Sequence, residues 1–298
     1  MDTDVQNSSM KIKALAPWFG GKRNLAPWIV QELGEHRAYW EPFCGSMAVL
    51  MTKPRCTNET VNDLHGDLIN LARVIKDRVR GPQLYRRLRR TLMSEDELLK
   101  AVEVMRQLKG PDVMYMFEWD RAYYYFIQAW MGRNGSAGTP IYNTATMAVR
   151  YTTGGGQGAQ RWRSAVDSIP AWRRRLRSVN ILHRDGFEIL DRIEDAAGTA
   201  IYLDPPYFKK GAKYCHDFSQ DDHDRLAAAV LRFKKARVVI SYYEHPELDR
   251  LYEGWTRVHK EVQRSLSNSG QRGRKVNKAT EVLLINGASN TAGKTELF

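Results

Sequence analysis

The stretch that most constrains this chain is Ile201-Tyr202-Leu203-Asp204-Pro205-Pro206-Tyr207. Thr199 to Leu203 is an apolar run of the kind that forms a parallel strand covered on both faces. It stops at a carboxylate followed by two prolines, which fix φ and cannot donate to a sheet ladder. Because proline also restricts the residue before it, Asp204, Pro205, Pro206 and Tyr207 are expected in a stiff loop at the strand's carboxyl end. Open α/β sheets bind their ligands at that end. The loop offers a carboxylate, the Pro205 carbonyl and an aromatic face, a set that suits an exocyclic amino group on a flat base. An Asp-Pro turn with a tyrosine packed beside it would leave the same trace, so the rest of the chain has to discriminate.

Upstream, Ala16-Pro17-Trp18-Phe19-Gly20-Gly21-Lys22-Arg23 runs into an amphipathic helix through Trp28, Ile29 and Leu33. Paired glycines let backbone approach a ligand closely, and Lys22 or the helix start suits an anionic group. A plain Gly-Gly turn with Trp18 in the core fits equally well. Ala38 to Phe43 reads as a strand, followed by Cys44-Gly45-Ser46 and a helix through Met47, Val49, Leu50 and Met51, the opening of a βα unit. A second strand, Glu59 to Asn62, ends at Asp63, where such folds grip ribose hydroxyls, although Asp63 also suits the N-cap of a helix over 64–79. Further strands are expected at Val179–Leu182, Arg237–Ile240 (ending Ser241-Tyr242-Tyr243), Thr256–Val262 and Glu281–Asn286. Asp185-Gly186-Phe187 opens a short helix, and Ser219 caps another through Leu226, Val230 and Phe233. The pattern predicts an α/β fold: a Rossmann-like sheet with helices on both faces.

Between Arg78 and Arg177 the composition changes. Arg86, Arg87, Arg89 and Arg90 crowd one helix, and Ser94 to Glu97 reads as a capping box. The aromatic stripe between Tyr115 and Met131 has helical spacing and is expected in the core. The glycine-rich segment 132–158 carries Arg133, Asn134 and Arg150, with Arg161 just beyond, and a basic stretch holds Arg272, Arg274 and Lys275. With 46 Lys and Arg against 34 Asp and Glu, the net charge is +12. That excess favours a polyanionic partner but does not by itself choose between DNA, RNA and a membrane surface. Those seven residues are the candidate nucleic-acid contacts. Cys44, Cys56 and Cys215 form no C-x-x-C pair, so neither a zinc site nor a disulfide framework is expected, and a reducing cytoplasm fits. The polar start is unlike a signal peptide, and no apolar run is long enough to cross a membrane. The expected organisation is an α/β domain in two parts, 1–80 and 178–286, an inserted domain of helices and a hairpin at 81–177, and a flexible tail at 287–298.

Taken in order, Trp18-Phe19-Gly20-Gly21-Lys22, Glu41-Pro42-Phe43-Cys44-Gly45-Ser46, Asn62-Asp63, Asp185-Gly186-Phe187 and Asp204-Pro205-Pro206-Tyr207 resemble the Dam-like family of DNA adenine-N6 methyltransferases. Tyr214, Phe218, His223 and Leu226 also fall where that family places its helix after the catalytic loop. The resemblance spans Leu15 to Asn286 apart from the middle insertion. It implies S-adenosyl-L-methionine as methyl donor, double-stranded DNA as partner, and a cytoplasmic setting in a bacterial or phage-infected cell. It further implies a cofactor pocket built from Trp18, Gly21, Lys22, Glu41, Phe43, Gly45, Asp63, Asp185, Phe187 and Asp204, no metal, and a catalytic loop of Asp204, Pro205, Pro206 and Tyr207 acting on a flipped adenine. Two positions depart from the family pattern: Met47 stands where a second glycine is usual, and the strand that often ends Ser-Asn ends Ser241-Tyr242-Tyr243. An RNA base N-methyltransferase and a non-catalytic DNA-binding protein with a methyltransferase fold are the alternatives. Restriction protection, phage evasion and replication marking all stay open as roles.

Overall fold

In the computed structural model of the chain, the described residues are 10, 12–18, 20–108, 118–132, 146–147, 149, 158–208, 218–263 and 278–292. Strands β1 (Ala38–Glu41), β2 (Asn58–Asn62), β3 (Val179–Leu182), β4 (Thr199–Leu203), β5 (Arg237–Tyr243), β6 (Thr256–Gln263) and β7 (Lys278–Ile285) form one sheet. Its order is β3-β2-β1-β4-β5-β7-β6. The first five are parallel to one another, whereas β7 runs antiparallel to both β5 and β6. The strand order reverses direction between β1 and β4, and their carboxyl ends diverge into the crevice where such sheets take ligands.

All five residues of β4 are buried. Period-two alternation assigns them to opposite faces. Ala200 and Tyr202 join one apolar cluster together with Val239 and Leu283, while Ile201 and Leu203 join the other with Val238, Ile240 and Leu284. Helices cover both faces. On the first lie α1 (Ala26–Leu33), α2 (Ala48–Thr52) and α3 (Gly66–Lys76); on the second lie α8 (Gly186–Arg192), α9 (Gln220–Leu231) and α10 (Glu247–Leu251). The Rossmann-like α/β reading therefore holds.

The helices of the middle region are α4 (Arg80–Arg90), α5 (Glu95–Gln107), α6 (Glu118–Met131) and α7 (Gly158–Leu176). They share the first cluster with α3 and the sheet. The aromatic stripe of α6 is core: Phe126 packs on Trp162 at 5.5 Å and on Trp172 at 6.3 Å between ring centres, and Trp130 stacks on Trp172 at 6.3 Å. Both indoles donate to the amino-terminal segment, Trp130 Nε1 to the Leu15 carbonyl (3.1 Å) and Trp172 Nε1 to that of Ile12 (2.6 Å). A buried ion cluster ties α7 to the sheet. Arg175 grips Glu59 of β2 with two guanidinium nitrogens (2.5 and 2.7 Å), and Lys53 Nζ reaches the same carboxylate at 2.6 Å.

Three local expectations are revised. The N-cap of α3 is His65, whose Nδ1 accepts from Leu68 N–H (3.3 Å); Asp63 lies two residues earlier and accepts from His65 N–H at 2.9 Å. That leaves Asp63 at the strand end instead of in the helix. Residues 287–292, expected to be loose, are held by the buried carboxylate of Glu32, which accepts from Ser289 Oγ (2.7 Å) and Asn290 N–H (2.8 Å). Met47 is, among the described residues, the one non-glycine with positive φ (60°). Its buried side chain anchors α2 where the family usually has glycine, so core packing offsets the cost of a left-handed backbone, about 1–2 kcal/mol. Residues 1–9 and 293–298 lie outside the described residues.

Candidate active site

Four of the parallel strands deliver a functional group where their ladders stop. β1 ends at Glu41 and passes to Phe43 and Gly45, β2 to Asp63, β3 to Asp185 and β4 to Asp204. Asn62 stitches three of these ends together. Its amide donates to the carbonyls of Pro42 (3.0 Å) and Arg184 (2.9 Å) and accepts from Arg184 N–H (2.9 Å). In the sequence Asn62 stands out only as part of a motif; its position before Asp63, at the last register of a buried strand, is the signal for this role.

One cleft brings together Trp18, Gly21, Lys22, Glu41, Gly45 and Asp204, with Cys44, Ser46 and Tyr202 beside them. Asp63 adjoins it: Oδ2 accepts from Gly45 N–H at 2.7 Å while Oδ1 takes His65 N–H. Each oxygen is thus fixed by one backbone donor and keeps capacity for another. Gly45 has φ +43°, and a Cβ there would stand 2.9 Å from Trp18 Nε1, so only glycine allows the turn to meet the indole. Trp18 in turn packs edge-on against His65 at 5.1 Å.

Beyond Gly45 an aromatic wall is formed by Phe43, Phe187 and Phe218. Phe43 meets the other two edge-on at 6.4 and 5.6 Å, and Phe187 stacks on Phe218 at 5.7 Å. Asp185 caps α8 through Phe187 N–H (2.9 Å), which aims Phe187 at Phe43. The wall has no room for a methyl group at Gly186, whose Cβ would sit 2.4 Å from Phe43 Cε1. Gly186→Ala is expected to lower stability by about 1–3 kcal/mol through this overpacking. Thermal melting would detect the loss.

Asp204 is the centre of the site. Lys22 Nζ lies 2.9 Å from its Oδ1, and Ser241 Oγ donates to the same oxygen at 3.0 Å while meeting the Tyr202 hydroxyl at 2.9 Å. Lys22 is itself buried and donates to the Gly20 carbonyl at 2.7 Å, so the Gly-Gly turn holds the ammonium in place. Its partner is a protein carboxylate, where the sequence suggests an external anion. Pro205 is buried and Pro206 half-buried. Tyr207 is turned inward, 7% exposed, with its hydroxyl donating to Glu281 Oε2 at 2.9 Å and the Lys22 ammonium 4.8 Å from its ring centre. Ser241 and Glu281 are not among the candidate site residues that the sequence suggests. Both are lone polar residues in apolar strands, Ser241 within Val238 to Tyr242, where it is also the serine of the family's Ser-Asn strand end, and Glu281 before Val282 to Ile285.

Glu41 is buried, and burial first, then the nearby charge of Asp204, pushes its carboxyl up from 4.5 to about 8 against the opposing hydrogen bond from Tyr39 OH (2.9 Å). A carboxyl raised in the folded state favours folding fully below its unfolded value and loses that contribution as pH climbs through the folded one. The wild-type protein is therefore expected to lose melting temperature relative to Glu41→Gln as pH rises from about 4.5 to about 8, with the difference levelling off above that. Melting curves of both proteins across pH 5–9 would check it, and parallel curves would contradict it.

Of the candidate DNA contacts, Arg161 is described: it sits half-buried in the first turn of α7, its guanidinium 5.4 Å from the Trp130 ring. Arg133, Asn134, Arg150, Arg272, Arg274 and Lys275 lie outside the described residues. Arg86, Arg89 and Arg90 of α4 are exposed, whereas Arg87 pairs with Asp120 (2.7 Å) and covers the Tyr123 ring at 3.6 Å. Among the described residues no helix is long and apolar enough to cross a membrane.

A mostly parallel sheet with helices on both faces and the carboxylates of Asp63 and Asp204 at its strand ends is a Rossmann-like α/β arrangement. Residues 18–266 match the D12 class N6 adenine-specific DNA methyltransferase family. The chain belongs to that family, and it is an adenine-specific DNA methyltransferase. It is also 24% identical over 304 residues to the type II methyltransferase M1.LlaDCHI of Lactococcus lactis subsp. cremoris, a similarity covering 95% of this chain and 98% of that protein.

Proposed function

We propose that the protein methylates N6 of a target adenine swung out of duplex DNA, with S-adenosyl-L-methionine as donor, at a sequence read by the region 81–177 and the basic segment near 272–275. The observation that carries this reading is the placement of Asp204 at the switch point with both protein donors, Lys22 and Ser241, on Oδ1. Oδ2 is then the oxygen that accepts from the amino group.

The residues present fit the cofactor. Asp63, its oxygens pinned by Gly45 and His65, offers acceptors to ribose hydroxyls. The Phe43, Phe187 and Phe218 wall suits a purine, with Asp185 beside it. Trp18, Gly21, Lys22, Gly45 and the Glu41 and Asp204 carboxyls line one cleft, where the Trp18 ring and the Asp204 carboxylate suit a sulfonium. When bound there, S-adenosylmethionine supplies a methyl group already activated by positive sulfur.

The chain's own residues supply position and hydrogen bonding. A stacked adenine cannot present N6 to the cleft, so it must leave the duplex. Asp204 Oδ2 and the Pro205 carbonyl accept the two N6 hydrogens, drawing lone-pair density onto nitrogen. Asp204 then takes the surplus proton once N6 carries a fourth substituent. Tyr207 bounds the base on the side of Lys22, and holding both reactants in one cleft makes the encounter effectively intramolecular. The arginines of 81–177 divide into base readers and phosphate contacts. Losing a reader should relax one position of the site, whereas losing a phosphate contact should weaken all sequences alike. The similarity to a type II methyltransferase favours a cytoplasmic role in restriction–modification.

The test is radiolabelled methyl transfer from S-adenosylmethionine to mixed DNA and RNA, with the modified nucleoside identified by mass spectrometry. N6-methyladenine in DNA is expected. Label in RNA or on cytosine would overturn the substrate, and cofactor and DNA binding without label would mark a non-catalytic binder.

A further inference from the structure

We propose that Glu281 is a positioning residue for methyl transfer: its buried carboxylate, carried by the antiparallel strand β7, sets the Tyr207 ring and the Lys22 ammonium against Asp204. The inference rests on the adenine-methylation reading given above.

Glu281 is the fourth of the eight residues of β7, counted from its amino-terminal end. Because β7 is antiparallel to β5, that end lies beside the carboxyl end of β5, with Glu281 in register with Tyr243. A parallel strand in the same place would bring its other end to the site. Glu281 is 4% exposed and is followed by Val282, Leu283, Leu284 and Ile285, all fully buried. An acid in such a run costs desolvation, and an apolar residue of similar volume is often at least as stabilising. A buried acid there must therefore be paired, and its partners lie at the site.

Glu281 Oε2 accepts from the Tyr207 hydroxyl at 2.9 Å, and Oε1 stands 3.9 Å from Lys22 Nζ. Tyr207 is then held at both ends, by Pro205 and Pro206 at its backbone and by Glu281 at its hydroxyl, with the Tyr243 ring edge-on at 4.8 Å. Lys22 is placed by Gly20, Asp204 and Glu281 together. Glu281 does not itself line the cleft, so it acts through these two side chains.

The experiment compares wild type, Glu281→Gln, Tyr207→Phe and the double variant by kcat, cofactor Kd, KM for DNA and melting temperature. Each single change is expected to lower kcat about 10- to 100-fold, as a misplaced group does, with cofactor Kd and melting temperature close to wild type. The double variant should lose less than the product of the two, because both changes break one contact. If wild type forms no N6-methyladenine, the functional reading and this inference fall together. If wild type is active while both single variants keep its kcat, or their losses multiply in full, this inference alone is overturned. Tyr207→Phe tests the contact from the other side should Glu281→Gln fold poorly.

Discussion

Asp204→Asn is expected to lower kcat for adenine methylation by about 10³-fold or more while leaving the fold in place. The asparagine keeps an oxygen for Lys22 and Ser241 at the Oδ1 position. Its amide nitrogen, however, would confront the N6 hydrogens with a donor and cannot take a proton from the product. Asp204→Ala should be as inactive but less stable, since it strips the buried Lys22 ammonium of its nearest carboxylate. Labelled methyl transfer, with cofactor titration and melting curves alongside, separates the two effects. An asparagine variant within tenfold of wild type would remove Asp204 from the reaction.

The largest expected loss of stability is at Glu59. Glu59→Ala leaves Lys53 and Arg175 buried without the carboxylate they share, which should cost about 3–5 kcal/mol. Burial raises the Glu59 carboxyl, but hydrogen bonds from Arg175 and Lys53 outweigh it and the net shift is below 4.5. A depressed carboxyl contributes stability that is present above its unfolded value and lost as pH falls through the folded one. The wild-type protein is thus expected to lose this contribution only below about pH 4.5, and Glu59→Ala to lack it throughout. Denaturant midpoints at pH 7 and pH 4 would check both statements. Equal midpoints at pH 7 would mean that the ion cluster does not hold α7 to the sheet. Replacing Lys53, Glu59 and Arg175 together by apolar residues should restore much of the loss, because no uncompensated charge remains.

Much of the site is legible in the amino-acid sequence. Asp204-Pro205-Pro206, Gly45 and Asp63 mark strand ends by local chemistry: proline cannot continue a ladder, glycine permits φ +43°, and a carboxylate after an apolar run ends burial. The complete burial of β4 follows from its unbroken apolar run. The α3 cap lies two residues beyond its expected place because Asp63 and His65 both suit that position, and only the bond between Gly45 and Asp63 separates them.

What the sequence by itself determined is the set of strands, the chemistry at their carboxyl ends and the family to which the chain belongs. The tertiary structure decided which distant groups share that chemistry. Lys22 reaches Asp204, Ser241 shares Oδ1 with it, and Glu281 anchors Tyr207 because β7 enters the sheet antiparallel between β5 and β6. Motif spacing carries local backbone preferences but no information on strand order. Strand order is set by how the whole sheet buries its two apolar faces, and a buried ion pair forms only between groups which that packing has already brought together.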